Sequence, residues 1–540
     1  MNADMKKGYR IKMKKLKLKN VHIAIIVLGI ILNCIGIFQS NLWFDEAYSV
    51  ALASKTFKEI WIIGGHDVHP VLYYWVLHLI YLLMNNFGAT MQVTVIAYRV
   101  FSMVCLSLLS VLGYTHIKRD FGEKVGVLFS FFALFLPTIC VYASEVRMYS
   151  LAILLVTILA IYAYRLAKFG NMEKPADDIE VRKTHSEIIE DRVKIKNTRK
   201  NWTIFVITSL LCIYTHYYAL MAAGIINCML LANLVRQKRK SEITTIVVAG
   251  IAQAIAYIPW LMCFIGQISH VSKGFWIKFE FPNTIMQLAS SQFIGKAMYG
   301  VGFFASIVIY GYLFYKLYNA KKNKEEYRPA LYAVLIYLAV IVAALIIRLI
   351  MKTSILYYRY LFAITGLYIF FIAYTLGKEK NKYIMTAVIG VTVVLSIWSN
   401  CNQLKEVYDA SNNAPMSFVK ERIQPGDDII FTEANYGAGV VLGMNFEDNR
   451  KFFYNPSIWD VEEAYKAFGD KLKVYTNTDF YGDLSNRIWI IDSPNADYYN
   501  EVFNNENYRL IDQFFITVKY ENYDYNIILV ERVVDIDGEE

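Results

Sequence analysis

Apolar residues along the chain run in long unbroken blocks, with charge confined to the stretches between them. Blocks of that length without periodic polar positions predict membrane-spanning helices rather than amphipathic elements of a soluble core. The first block, residues 21–38, follows the basic segment KKGYRIKMKKLKLKN. Its charge order is that of a signal peptide, yet it is long and lacks a small-x-small cleavage site before Trp43. It reads as an uncleaved first span running from cytoplasm to outside.

The next apolar run, VLYYWVLHLIYLLM at 71–84, has 14 residues. That is about 21 Å of helix against a hydrocarbon core of roughly 30 Å. If it crossed, residues 85–94 would be a cytoplasmic loop without Lys or Arg, and HIKRDFGEK (116–124) would lie outside. Both placements break the positive-inside rule, so 71–84 is expected as an interfacial or re-entrant helix on the outer side. Spans two to four then fall at 95–114, 125–142 and 151–164. The 34 residues 202–235, about 51 Å as one helix, are expected as a hairpin turning near THYY (215–218). Spans seven to eleven follow at 243–264, 299–318, 330–350, 357–376 and 383–398, with an outer loop at 266–296. Counting Lys316 at the inner end of span eight, this places 33 Lys and Arg on the cytoplasmic side and ten elsewhere in the membrane part, the asymmetry expected of a correct topology.

Composition changes this picture in one respect. The chain is 56% hydrophobic with mean hydropathy +0.34, and its net charge of +9 sums two unlike parts. Residues 402–540 hold 12 Lys and Arg against 26 Asp and Glu, a net −14, which leaves +23 on the remainder. The basic excess is therefore a topology signal and not a nucleic-acid surface. Seven cysteines lie outside the acidic tail with no CxxC spacing and read as small buried apolar residues. The tail is expected as an extracytoplasmic α/β domain: a helix over 415–423, the turn QPGDD, strand-like IIFT, a helix over 435–444, then KFFYN, KVYT, RIWIID and YNIILVE as strands. Nothing in it has catalytic spacing, and it reads as an acidic folded cap. The expected division is a transmembrane domain over 1–401, with an outer first loop at 40–94, followed by the domain 402–540.

With this topology, Asp45, Glu46, Asp67, His69, Glu145, Arg147, Tyr149, His216 and Arg359 gather at outer ends of spans or in outer loops. Ionisable groups at the edge of hydrocarbon are functional candidates, with snorkelling or structural ion pairing as the alternative. Asp45 and Glu46 are neighbours and cannot both face one target. Asp45 is the expected general base, while Glu46 is either a second catalytic acid or an amino-terminal charge for the helix EAYSVALAS. Asp67 and His69, two residues apart, suit either joint ligation of a divalent metal ion, with His216 as a third ligand, or polar loop packing. Glu145 and Tyr149 flank Arg147 in SEVRMYS. Arg147 and Arg359, each beside tyrosines, suit a lipid-linked phosphate; capping of neighbouring carbonyls is the alternative for Arg359.

The pieces LWFDEAYS, DVHPVLYYWVLH, SEVRMYSLAILL and YYRYL, in this order, resemble the GT-C glycosyltransferases that use polyprenyl-phosphate sugars, particularly the protein O-mannosyltransferase and aminoarabinose-transferase group. The likeness covers about residues 42–376, and His69-Pro70-Val71 departs from the commoner His-Pro-Pro. It implies an α-helical polytopic membrane protein of about 11 transmembrane helices carrying an inverting hexosyl- or pentosyltransferase activity. Asp45 would be the catalytic aspartate, Asp67 and His69 a polar cluster near the donor phosphate, and Arg147 and Arg359 phosphate-binding residues. The partners implied are membrane lipids, the polyprenyl-phosphate donor and an acceptor glycan, lipid or protein. A transporter or flippase of lipid-linked sugars is the competing class; it would favour inverted repeats and polar groups near the midplane, neither of which the sequence shows.

Overall fold

The computed structural model describes residues 20–39, 41–169, 185–294, 299–432, 441–446, 448–454, 462–469, 472–495, 498–520 and 523–533. The basic amino-terminal segment, part of the charged loop 165–200 and most of the helix expected over 435–444 lie outside them. The chain divides into two compact units that are discontinuous in sequence. One comprises Met1–Ile35, His69–Tyr73 and Arg99–Asn400; the other comprises Gly36–Val68, Tyr74–Tyr98 and Cys401–Glu540. The outer first loop, expected within the transmembrane domain, thus groups largely with the tail.

Among the described residues eight helices are long and apolar enough to cross a bilayer: Asn20–Phe38, Met91–Phe121, Tyr149–Lys168, Tyr217–Arg236, Lys240–Lys273, Arg328–Met351, Tyr358–Gly377 and Lys382–Lys420. The protein is an integral membrane protein of polytopic helical architecture. The three other expected spans also fall on helices. One is cut into Glu123–Phe135 and Pro137–Tyr142, because Leu136 is extended (φ −66°, ψ 135°) ahead of Pro137, the conformation a following proline imposes. The other two lie within His185–Thr215 and Tyr299–Lys322. The hairpin break inside THYY falls at His216, which is extended (φ −160°, ψ 141°). The run after Pro70 forms the helix Leu72–Asn86 of 15 residues, shorter than a span.

In the first unit the segment Tyr358–Gly377 is the most enclosed of these helices, with 89% of its apolar window buried against 22% for Asn20–Phe38. Its close contact with the helix Tyr149–Phe169 needs a glycine, since a Cβ on Gly366 would stand 1.9 Å from Thr157 Oγ1. Where apolar surface gives no net drive for association in lipid, polar pairs register the helices. His22 Nε2 lies 2.7 Å from Ser130 Oγ, Asn33 Nδ2 donates to the Leu134 carbonyl (2.9 Å), and Arg165 is paired with Asp120 (2.7 Å).

The carboxyl-terminal part of the second unit is a six-stranded sheet of β1 (Asp428–Thr432), β2 (Arg450–Tyr454), β3 (Leu472–Tyr475), β4 (Arg487–Asp492), β5 (Tyr508–Thr517) and β6 (Asp524–Arg532), in the order β3-β2-β1-β4-β6-β5. The first four strands are parallel, and β6 and β5 add antiparallel neighbours. Parallel strands are covered on both faces and read as continuous apolar runs. Alternate residues accordingly enter two cores: Ile429, Phe431, Trp489 and Ile527 on one face, and Ile430, Phe452, Ile488 and Ile528 on the other.

Candidate functional site

Four segments of the first unit bring its unusual polar residues together, each at a helix end or an interruption. His69 precedes Pro70. Glu145 and Arg147 lie in the turn between Pro137–Tyr142 and Tyr149–Phe169. His216 occupies the break before Tyr217–Arg236, and Arg359 and Tyr360 open the 3-10 turn Tyr358–Ile364. The turn carrying Arg147 is fastened from below: Ser102 Oγ donates to the Glu145 carbonyl (2.7 Å), and buried Arg99 donates to that of Ser144 (3.2 Å). Tyr218 fastens the last segment by donating to the Ile355 carbonyl (2.8 Å).

At the centre, the rings of His69 and His216 stack with centroids 5.3 Å apart and planes 26° apart. Tyr149 (5.7 Å) and Tyr360 (5.5 Å) close on His216 edgewise, and Tyr360 also meets His69 at 6.0 Å. Arg147 and Arg359 are 3% and 8% exposed, so both guanidiniums are withdrawn from water. Burial holds His69 well below the usual imidazole range, reinforced by Arg147, His216 and Arg359. Burial and then Arg147 press His216 down to about 3. Both imidazoles are therefore neutral near pH 7, and the positive charge of the cluster comes from the two arginines. The tautomer of His216 follows from its capping bond. Its Nδ1 accepts the Tyr218 backbone N–H (3.1 Å), so the proton sits on Nε2, which is buried without a hydrogen-bond partner. His216 Nε2 is thus a buried orphan donor beside Arg147, Tyr149 and Tyr360.

The expected metal pairing does not fit this geometry. Nearly parallel imidazoles aim their in-plane lone pairs alongside one another instead of at a common point, and His216 Nδ1 is already committed. Two cations beside His69 oppose a third. The Asp67 carboxylate accepts the Tyr74 hydroxyl (3.0 Å). Among the described residues no group of three or more His, Cys, Asp or Glu is arranged to hold a metal ion.

Asp45 and Glu46 belong to the second unit, in the first turn of the helix Phe44–Ala53. Asp45 is half-exposed, whereas Glu46 is fully buried and accepts the Tyr520 hydroxyl (2.9 Å). The Glu46 carboxylate is thus held by a hydrogen bond within the protein.

No protein-family model matches the chain, and no curated protein does. Two solved structures match across its length, the crystal structures of ArnT from Cupriavidus metallidurans in the apo state and bound to undecaprenyl phosphate. The TM-scores are 0.57 and 0.53 at 10% and 11% identity, covering 96% of this chain and 99% of each ArnT chain. The chain has the fold of ArnT. At that identity the likeness concerns the fold alone, so the chemistry of this ArnT-like chain is argued from its own residues. Arg99, which fastens the Arg147 turn, and Tyr218 and Tyr360, which adjoin His216, are the residues around the cluster that residue patterns did not single out. An arginine inside an expected span was the available signal for Arg99, and the two tyrosines adjoin residues already marked in THYY and YYRYL.

Proposed function

We propose that this protein transfers a sugar from a polyprenyl-phosphate donor to an acceptor hydroxyl on a glycan, lipid or protein, with inversion, at the outer face of the cell membrane. The observation that carries the reading is the buried cluster of the first unit: two guanidiniums, a neutral imidazole with an orphan Nε2–H and converging tyrosines. That donor set neutralises a phosphate with directed hydrogen bonds and is poorly suited to an uncharged sugar alone. The ArnT-like fold supports the same class, since one of the two ArnT structures holds undecaprenyl phosphate.

In the proposed reaction the acceptor oxygen attacks the anomeric carbon as its proton passes to the Asp45 carboxylate. The bond between that carbon and the phosphate oxygen breaks, and polyprenyl phosphate departs with the bonding electrons. Arg147 and Arg359 offset the charge that appears on it, with His216 Nε2–H and Tyr149 as further donors. His69 packs as a neutral ring, and Glu145 shapes the turn that presents Arg147. The amino terminus is assigned to the cytoplasm and the carboxyl-terminal domain to the outside, from the Lys and Arg distribution.

The test is transfer of radiolabelled sugar from synthetic polyprenyl-phosphate hexoses and pentoses to envelope fractions by the purified protein in lipid. Label in acceptor material, lost in Asp45→Asn, is the expected result. Donor crossing vesicle membranes without transfer would instead identify a flippase.

A further inference from the structure

The helix Phe44–Ala53, which carries Asp45, is poorly equipped to place itself. It has ten residues, and its amino-terminal cap Trp43 makes no side-chain capping bond. Helices this short are marginal in isolation and take their position from what they pack against. The carboxyl-terminal half of this helix meets Tyr74 and His78, while its first turn packs on the 401–540 portion of the same unit. Phe44 inserts its ring against Tyr465 (5.8 Å) and Phe468 (6.0 Å), at the edge of one core of the sheet, and its backbone N–H donates to the Tyr523 hydroxyl (3.2 Å). Trp43 packs with Val407 and Tyr520, and Asn41 Nδ2 donates to the Val407 carbonyl (3.0 Å).

One contact that bears directly on the rotation of the turn is that between Glu46 and Tyr520. A fully buried carboxylate is costly unless hydrogen bonds hold it, and once held it admits few alternative geometries. Glu46 accepts the Tyr520 hydroxyl at 2.9 Å, while the backbone N–H of Tyr520 donates to Asn412 Oδ1 (3.0 Å). The tyrosine is therefore fixed at both ends, and the residue it grips is the immediate neighbour of Asp45.

We propose that the carboxyl-terminal domain positions the Asp45 turn, with Tyr520 as the positioning residue and Glu46 as its point of attachment instead of a second catalytic acid. The inference rests on the reading of Asp45 as the general base. It gives the acidic domain a mechanical role in the reaction, in place of that of a passive cap.

The test uses the full-length protein in lipid and two independent readouts. Hydrogen exchange of peptides spanning residues 42–54 should run about tenfold faster in Tyr520→Phe, with exchange in the helix Tyr149–Phe169 unchanged. With whichever polyprenyl-phosphate sugar supports transfer, kcat of Tyr520→Phe should fall about tenfold at constant KM for the donor. Glu46→Ala should lose transfer in the same way, and Glu46→Gln, which keeps an acceptor for the tyrosine, should recover most of it. Unchanged exchange at 42–54 in a folded Tyr520→Phe protein overturns the proposal. So does a Glu46→Gln protein as inactive as Asp45→Asn, because Glu46 would then act chemically. Wild-type protein that transfers no sugar defeats the transferase reading, and the exchange measurement alone then decides the positioning.

Discussion

The polar cluster of the first unit and the acidic turn of the second show two ways of holding charge. In the cluster, Arg147, His216 and Arg359 stand at interruptions of long helices, and those helices are aligned by their own polar pairs and close contacts. Removing one side chain there leaves the scaffold in place. The turn bearing Asp45 and Glu46 belongs to a helix of ten residues whose first turn is contacted by Tyr465, Phe468, Tyr520 and Tyr523, more than 400 positions along the chain. Substitutions in the cluster should therefore change binding chemistry, while those around the turn should change geometry before chemistry.

The largest effect is expected where the turn meets chemistry directly. Asp45→Asn should lower kcat by about 10²–10⁴, the range for removal of a general base, without altering donor KM or thermal unfolding. A variant that retains more than a tenth of wild-type kcat would remove Asp45 from the role of base. In the cluster, Arg147→Gln should weaken binding of undecaprenyl phosphate by about 10–100-fold, the loss of one or two charge-assisted hydrogen bonds. Arg147→Lys should recover only part of this, since an ammonium cannot reproduce the guanidinium fork. Equal affinity in wild type and Arg147→Gln, read by displacement of a labelled polyprenyl phosphate, would contradict the assignment of the anion site.

The same contrast explains what could be read from the sequence. Apolar blocks were sufficient to locate helices on all the expected spans, because bilayer thickness acts on composition alone. Strands β1, β2, β3, β4 and β6 coincide with IIFT, KFFYN, KVYT, RIWIID and YNIILVE; in β1, β4 and β6 near-continuous burial leaves a mostly apolar run. The edge strand β5 escaped, because it mixes exposed Leu510 and Phe515 with Arg509, Asp512 and Gln513 and so shows neither alternation nor an unbroken run. The cluster was legible one residue at a time, since ionisable groups at helix ends stand out against hydrocarbon. The stacking of His69 on His216, which disfavours a metal site, depends on ring orientation and left no trace in spacing. The pairing of Glu46 with Tyr520 spans 474 positions, and no local pattern encodes a contact of that length.

A smaller effect follows from packing. Phe44 is partly buried against the sheet core, so Phe44→Ala should destabilise the second unit by about 1–3 kcal/mol, below the cost at a fully enclosed site. Transfer should fall with it as the Asp45 turn loosens, whereas polyprenyl-phosphate binding through Arg147 should persist. Parallel loss of both would show that the two regions do not fail independently.

The smallest effect expected is a matter of pH. His216 titrates at about 3 in the folded protein, against roughly 6.5 for an unfolded chain. Its folded pKa is depressed, so between those values the unfolded state binds more protons, and folding free energy falls as pH falls. The contribution is fully present above pH 6.5 and is lost progressively towards pH 3. His69 acts in the same direction. Above pH 6.5 both rings stay neutral, so affinity for a polyprenyl-phosphate sugar, a diester whose own charge does not change there, should be flat from there to pH 8. The Tm, in contrast, should decline on acidification. His216→Asn isolates the effect, because asparagine can still accept the Tyr218 N–H as a helix cap but does not titrate. Its Tm should fall less steeply than that of the wild type between pH 6.5 and 4. An identical slope in the two proteins would mean that His216 is not held neutral by its burial beside Arg147, and the cluster would carry more charge on acidification than its two guanidiniums supply.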